Sequence, residues 1–146
     1  MDYIEECLKQ AKIALKKNEV PIGAIIIYNG KIIAKAHNIR EHSQNALHHA
    51  EILAINKACK KLKSWRLNEC EMYVSLEPCP MCAGAILNSR LKKLHILCKD
   101  HEHGAVLSKY TLLDDGVLNH KTEIEYIETP EAKSILQHFF STLRKK

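Results

Sequence analysis

Two short segments bring together residue types that hold metals and move protons: His49-Ala50-Glu51 and Pro78-Cys79-Pro80-Met81-Cys82. Cysteines at i and i+3 on a first helical turn point the same way, so both sulfurs can reach one metal. The positive end of the helix dipole there favours the thiolate that a metal requires. His49 would add a neutral imidazole, and three such ligands leave a tetrahedral zinc one open position, as in catalytic sites. Taken alone, Cys79 and Cys82 fit equally well a thioredoxin-like redox pair or half of a structural zinc site completed elsewhere. Glu51 separates these readings. If His49 lies at a helix entry, its ring can turn back toward the metal while Glu51 flanks the open position. A carboxylate there can take a proton from metal-activated water and deliver it to substrate and leaving group. His48 lacks the required offset from Glu51 and reads as a helix-start residue without a metal role.

The surrounding pattern supplies the elements that would position these groups. Ile4, Cys7, Leu8, Ala11 and Leu15 recur at helical spacing, and Asp2 with Glu5 makes a capping pair, so a first helix is expected over about 2–17. An apolar strand over 23–28, the turn Asn29-Gly30 and a return strand over 31–37 read as a hairpin. A polar stretch, 38–45, leads into a helix carrying Ala50, Leu53, Ala54 and Ala58. Strands are expected over 72–76, 91–98 and 121–127. Helices are expected over 79–87, near 107–113, and after Thr129-Pro130, where Ala132, Ile135, Leu136, Phe139 and Leu143 form a stripe. This order predicts a three-layer α/β/α domain, residues 1–146, around a mixed five-stranded sheet.

Composition narrows the class. The 146 residues are 46% hydrophobic and 27% charged, an ordinary globular mix that excludes disorder. No apolar run reaches membrane-spanning length, and the acidic, amphipathic start is wrong for a signal peptide, so a cytoplasmic protein is expected. The net charge of +5 permits a polyanionic partner. Lys57, Lys60, Lys61, Lys63 and Arg66 form the densest basic run, and Arg144-Lys145-Lys146 closes the chain. Of six cysteines only Cys79 and Cys82 are close in sequence; the others sit in apolar patterns as small buried hydrophobes.

His-x-Glu followed by Pro-Cys-x-x-Cys is the signature of zinc-dependent base deaminases. Beyond it, the chain resembles the bacterial tRNA-specific adenosine deaminases over nearly its whole length. The resemblance is carried by Glu19-Val20-Pro21-Ile22-Gly23-Ala24, Ala36-His37-Asn38-Ile39-Arg40-Glu41, His49-Ala50-Glu51-Ile52-Leu53, Trp65-Arg66-Leu67 and the stretch from Tyr73 to Ala85. Ser89-Arg90, Asn119-His120 and Phe139-Phe140 extend it. It implies a cytidine deaminase-like fold, a homodimer, one zinc per chain, and conversion of adenosine to inosine at the wobble position of a tRNA anticodon. It also implies roles: His49, Cys79 and Cys82 as zinc ligands, Glu51 as proton shuttle, Asn38 on the flipped base and Asp100 near the substrate backbone. The chain departs from the family pattern at His48, at Glu102 where a lysine is usual, and at Val106-Leu107.

Two rival readings stay open at this level. One is a small-molecule deaminase of guanine, cytosine or a free nucleoside, which would share Pro-Cys-x-x-Cys. The other is a non-catalytic, zinc-stabilised binding module, against which Glu51 argues, because a structural site has no use for an unliganded carboxylate.

Overall fold

The computed structural model describes residues 2–113 and 120–144; Asn119, Lys145 and Lys146 lie outside them. Helix α1 (Tyr3–Lys16) starts where Asp2 accepts the Glu5 amide through its carboxylate, half of the expected capping pair. Strands β1 (Gly23–Tyr28) and β2 (Lys31–His37) pair antiparallel around Asn29-Gly30, both at positive φ as a tight hairpin turn demands. A four-residue helix α2 (Arg40–Ser43) interrupts the polar stretch, and α3 (Ala50–Leu62) follows. Then come β3 (Cys70–Val74), α4 (Pro80–Asn88), β4 (Lys93–Ile96), β5 (Glu123–Tyr126) and α5 (Pro130–Arg144).

The sheet order is β2-β1-β3-β4-β5, antiparallel through β3 and parallel from β3 to β5. Each face is covered. Ala54, Ala58, Ala83 and Ile86 of α3 and α4 pack with Ala24, Ile26, Met72, Val74, Leu94 and Ile96 on one side. Cys7 and Leu8 of α1 and Ala132, Ile135 and Leu136 of α5 pack with Ile25, Ile27 and Leu97 on the other. Alternate residues of β1 therefore serve opposite layers, as the pleat requires. The expected three-layer α/β/α architecture with a mixed five-stranded sheet is the one observed.

Three local expectations change. Strand β3 lies two residues earlier than expected: Cys70 and Met72 point into the core, and after Val74 contact with β1 narrows to the bonds between Ser75 and Gly23. Strands β4 and β5 are shorter than the expected 91–98 and 121–127. No helix forms near 107–113: the chain there turns repeatedly, since the amides of Val106, Leu107 and Ser108 bond a side chain, the carboxylate of Glu77, in place of helical carbonyls.

At Gly23 a side chain has no room, for a Cβ would run into the α1 backbone at Cys7 and Ala11. Helix α3 ends on exposed Lys63 in the left-handed conformation (φ 53°), whose amide returns to the Cys59 carbonyl.

Candidate metal centre and active site

His49 is the N-cap of α3, with extended backbone angles (φ −80°, ψ 154°). Its ring is thereby freed from the helical spacing that would separate it from Glu51. Cys79 is the N-cap of α4, Pro80 begins that helix without needing an amide partner, and Cys82 lies in its first turn. Both helices lie on one face of the sheet, so their starts converge. The His49 Nδ1 atom stands 3.7 Å from Cys79 Sγ and 3.6 Å from Cys82 Sγ. The donor atoms of His49, Cys79 and Cys82 all lie within 4.8 Å of one another, and among the described residues no other such cluster could hold a metal.

The donor set fits zinc. Bond lengths of about 2.3 Å to sulfur and about 2.0 Å to nitrogen put the nitrogen–sulfur edge of a tetrahedron at roughly 3.6 Å, which both distances match. Charge fits as well. A hydrogen bond from the Cys82 thiol, helped by His49, pulls the Cys79 thiol down to about 4 against the burial that opposes it. Cys82 moves up, through the same hydrogen bond and its burial. His49 moves up chiefly through its hydrogen bond with Cys79. The lowered Cys79 thiol favours the thiolate, the form that binds a metal.

Glu51 is 3% exposed, and its Oε1 is the one buried side-chain polar atom without a hydrogen-bond partner among the described residues. Burial, above all, raises its pKa to about 7. Buried carboxylate oxygens are normally satisfied; this one is left open beside the three donors.

The structure brings these four residues together, and their supports are of a kind that short spacing does not reveal. Asn38 is buried and its Oδ1 accepts the Ala50 amide at 2.8 Å. It caps α3 from outside the helix, because His49, the N-cap, makes no side-chain cap of its own. Nothing in the sequence signals a cap twelve residues upstream. Asp100 uses its Oδ1 on the amides of Glu102 and His103, which folds the loop after β4 onto itself. His48 is not one of the grouped donors, and its Nδ1 lies 2.8 Å from Ser43 Oγ.

Two buried carboxylates secure the neighbouring loops. Glu19 accepts the amides of Glu41 and His42 and lies 2.6 Å from His42 Nδ1. Glu77, directly before Pro78-Cys79, accepts amides from Asp100, Val106, Leu107 and Ser108. The Ser108 hydroxyl also donates to it, at 2.5 Å.

Comparison with known proteins agrees with this geometry. A family model described as MafB19-like deaminase matches residues 1–144. The tRNA-specific adenosine deaminase of Aquifex aeolicus (strain VF5) is 44% identical over 142 residues, 97% of this chain and 94% of the relative. Its namesake from Bacillus subtilis (strain 168) is 46% identical over 145 residues, 99% of this chain and 90% of the relative. A solved structure from work on A-to-I editing by tRNA:A34 deaminases at the wobble position superposes with a TM-score of 0.88 at 34% identity, covering 92% of this chain and 98% of that one. Motif, fold and near-complete coverage agree: the chain belongs to the tRNA-specific adenosine deaminases, within the MafB19-like deaminase family.

Proposed function

We propose that this chain, a single deaminase domain spanning residues 1–146, hydrolyses adenosine to inosine at the wobble position of a tRNA anticodon. The observation that carries the reading is the unpartnered, buried Glu51 oxygen beside a three-donor group that leaves a tetrahedral metal one open position. His49, Cys79 and Cys82 would hold one zinc. When bound, that zinc supplies a Lewis acid that makes water acidic near neutral pH. The remaining work belongs to the chain. Glu51 takes the proton from the attacking water and carries it to the base, so that water adds at carbon 6 and ammonia leaves. Burial raises the pKa of that carboxylate above the ordinary carboxylate range, which suits a group that both accepts and gives. With its oxygen committed to Ala50, Asn38 has its amide NH2 left to offer an acceptor on the edge of an extruded adenine.

A tRNA partner is supported by the relatives' names and by the basic excess of +5. No helix among the described residues is long and apolar enough to cross a membrane. A cytoplasmic homodimer is the setting we infer from the family.

The test is nucleoside analysis of tRNA before and after incubation with the zinc-loaded protein. Inosine should appear at the wobble position. Glu51→Gln should keep zinc and RNA yet lose turnover by about 10,000-fold or more, because an amide cannot relay a proton. Turnover of free guanine, cytosine or adenosine with none on tRNA would give the site to the small-molecule reading. Zinc binding without turnover of any base would give it to the binding-module reading.

A further inference from the structure

Glu77 does more than its place beside the cysteines requires. It is 2% exposed, yet it is surrounded by donors from one segment: four amides and a hydroxyl, all from residues 100–108. The contact is tight from the other side too. A Cβ on Gly104 would collide with the Glu77 carboxyl group and the Asp100 carbonyl. Two backbone bonds complete the attachment: the Ala105 amide donates to the Pro78 carbonyl at 2.9 Å, and the Glu77 amide donates to that of Cys98 at 2.8 Å. The inner part of the segment, Gly104 to Val106, is buried, while His101, Glu102 and His103 form an exposed polar rim.

A helix was expected through part of this segment, and the carboxylate is the reason it is absent. Amides that could have entered a helical ladder all turn to one buried anion. Charge-assisted hydrogen bonds of this kind are the stronger class, and their convergence fixes the loop relative to the residue that follows Pro78. That residue is Cys79.

We infer that Glu77 is a positioning residue for the substrate: it locks the 100–108 loop beside the metal ligands, so that the 101–103 rim meets the nucleotides flanking the target base at a fixed offset. The inference rests on the RNA reading of the site, because a free base presents no flanking nucleotides to the rim. It assigns Glu77 to substrate alignment and not to metal retention, since the three donors are held by the starts of α3 and α4.

Glu77→Gln and Gly104→Ala test this from opposite sides. The first puts amide hydrogens where an anion received them; the second pushes the loop off without changing any charge. Each zinc-loaded variant is assayed for zinc content, for KM and kcat on an anticodon stem-loop, and for amide exchange at Val106, Leu107 and Ser108. The wild type should protect those amides, and both variants should expose them, with exchange at least about tenfold faster. KM should rise on the order of tenfold, kcat should fall less, and zinc should stay at one per chain. Glu77→Asp, which keeps the charge on a shorter arm, should recover part of the loss. Unchanged KM with exposed amides overturns the alignment role, as does loss of zinc with unchanged KM. Retained protection in Glu77→Gln overturns the anchor itself. If Glu77→Gln does not fold, Gly104→Ala decides the question. If the wild type leaves RNA unmodified, the RNA reading fails, and with it the alignment role; amide exchange would still decide the anchor separately.

Discussion

Asn38 caps α3 through its oxygen, and the proposed function gives its nitrogen a second duty on the substrate; substitutions can separate the two. Asn38→Ala removes both, so it should cost about 1 kcal/mol of stability, the usual worth of a helix cap, as well as turnover. Asn38→Asp keeps an acceptor at the helix start and loses the donor. It should melt close to the wild type, by differential scanning calorimetry, yet deaminate poorly. Equal activity in Asn38→Asp and wild type would remove the donor role. Residues such as His49, Glu51, Cys79 and Cys82 were legible in the sequence because their chemistry lies in type and short spacing. The Asn38 cap and the Glu77 anchor were not. Each depends on a partner that only the fold brings near, and a glutamate between Leu76 and Pro78 looks like any solvated acid.

At the level of elements, the hairpin and the long helices followed from periodicity, whereas segments organised by side-chain acceptors did not. Helix α2 and the turns after β4 both replace expectations drawn from polarity or apolar spacing, and both hang from buried carboxylates. The end of β3 shows a further limit: the ladder register with β1 ends at Val74, and beyond it the two strands are joined by Ser75 and Gly23 alone, whose amides bond the Gly23 carbonyl and the Ser75 hydroxyl. Glu19 makes the α2 attachment measurable through pH. Burial raises its pKa, but hydrogen bonds from His42 and from the Glu41 and His42 amides outweigh this and hold it below the ordinary 4.5. A carboxyl group depressed in the folded state stabilises fully above its unfolded value and loses that contribution as pH falls through its folded value. Glu19→Gln should therefore lower the urea midpoint at pH 7, and the gap to wild type should close in acid below pH 4.5. A gap that stays constant down to pH 3 would remove the ionised carboxylate from the account.

Across the whole molecule, the metal group reports on folding. Its donors come from the starts of two helices that meet only when β1 and β3 have paired beneath them. An unfolded chain keeps Cys79 and Cys82 near each other but releases His49. Metal binding should consequently favour the folded state by mass action, about 4 kcal/mol at a thousandfold excess over Kd. For a chain of this size that corresponds to a rise in Tm of roughly 10 °C. Stripping with a chelator should reverse it; His49→Ala should abolish the response, and His48→Ala should retain it. A Tm indifferent to zinc in the wild type would break the link between site and fold.

The left-handed turn at Lys63 carries a cost of another sort. A glycine there would sit without strain, whereas a side chain in that conformation gives up about 1 kcal/mol or more. Lys63→Gly should make the protein harder to melt. It would also delete one cation from the run between Lys57 and Arg66. If that run tracks phosphates, the salt slope of RNA binding should flatten by roughly one unit in the same variant. The chain then trades durability for charge at the end of α3, and an engineer seeking a tougher enzyme would meet that exchange rate at this residue first.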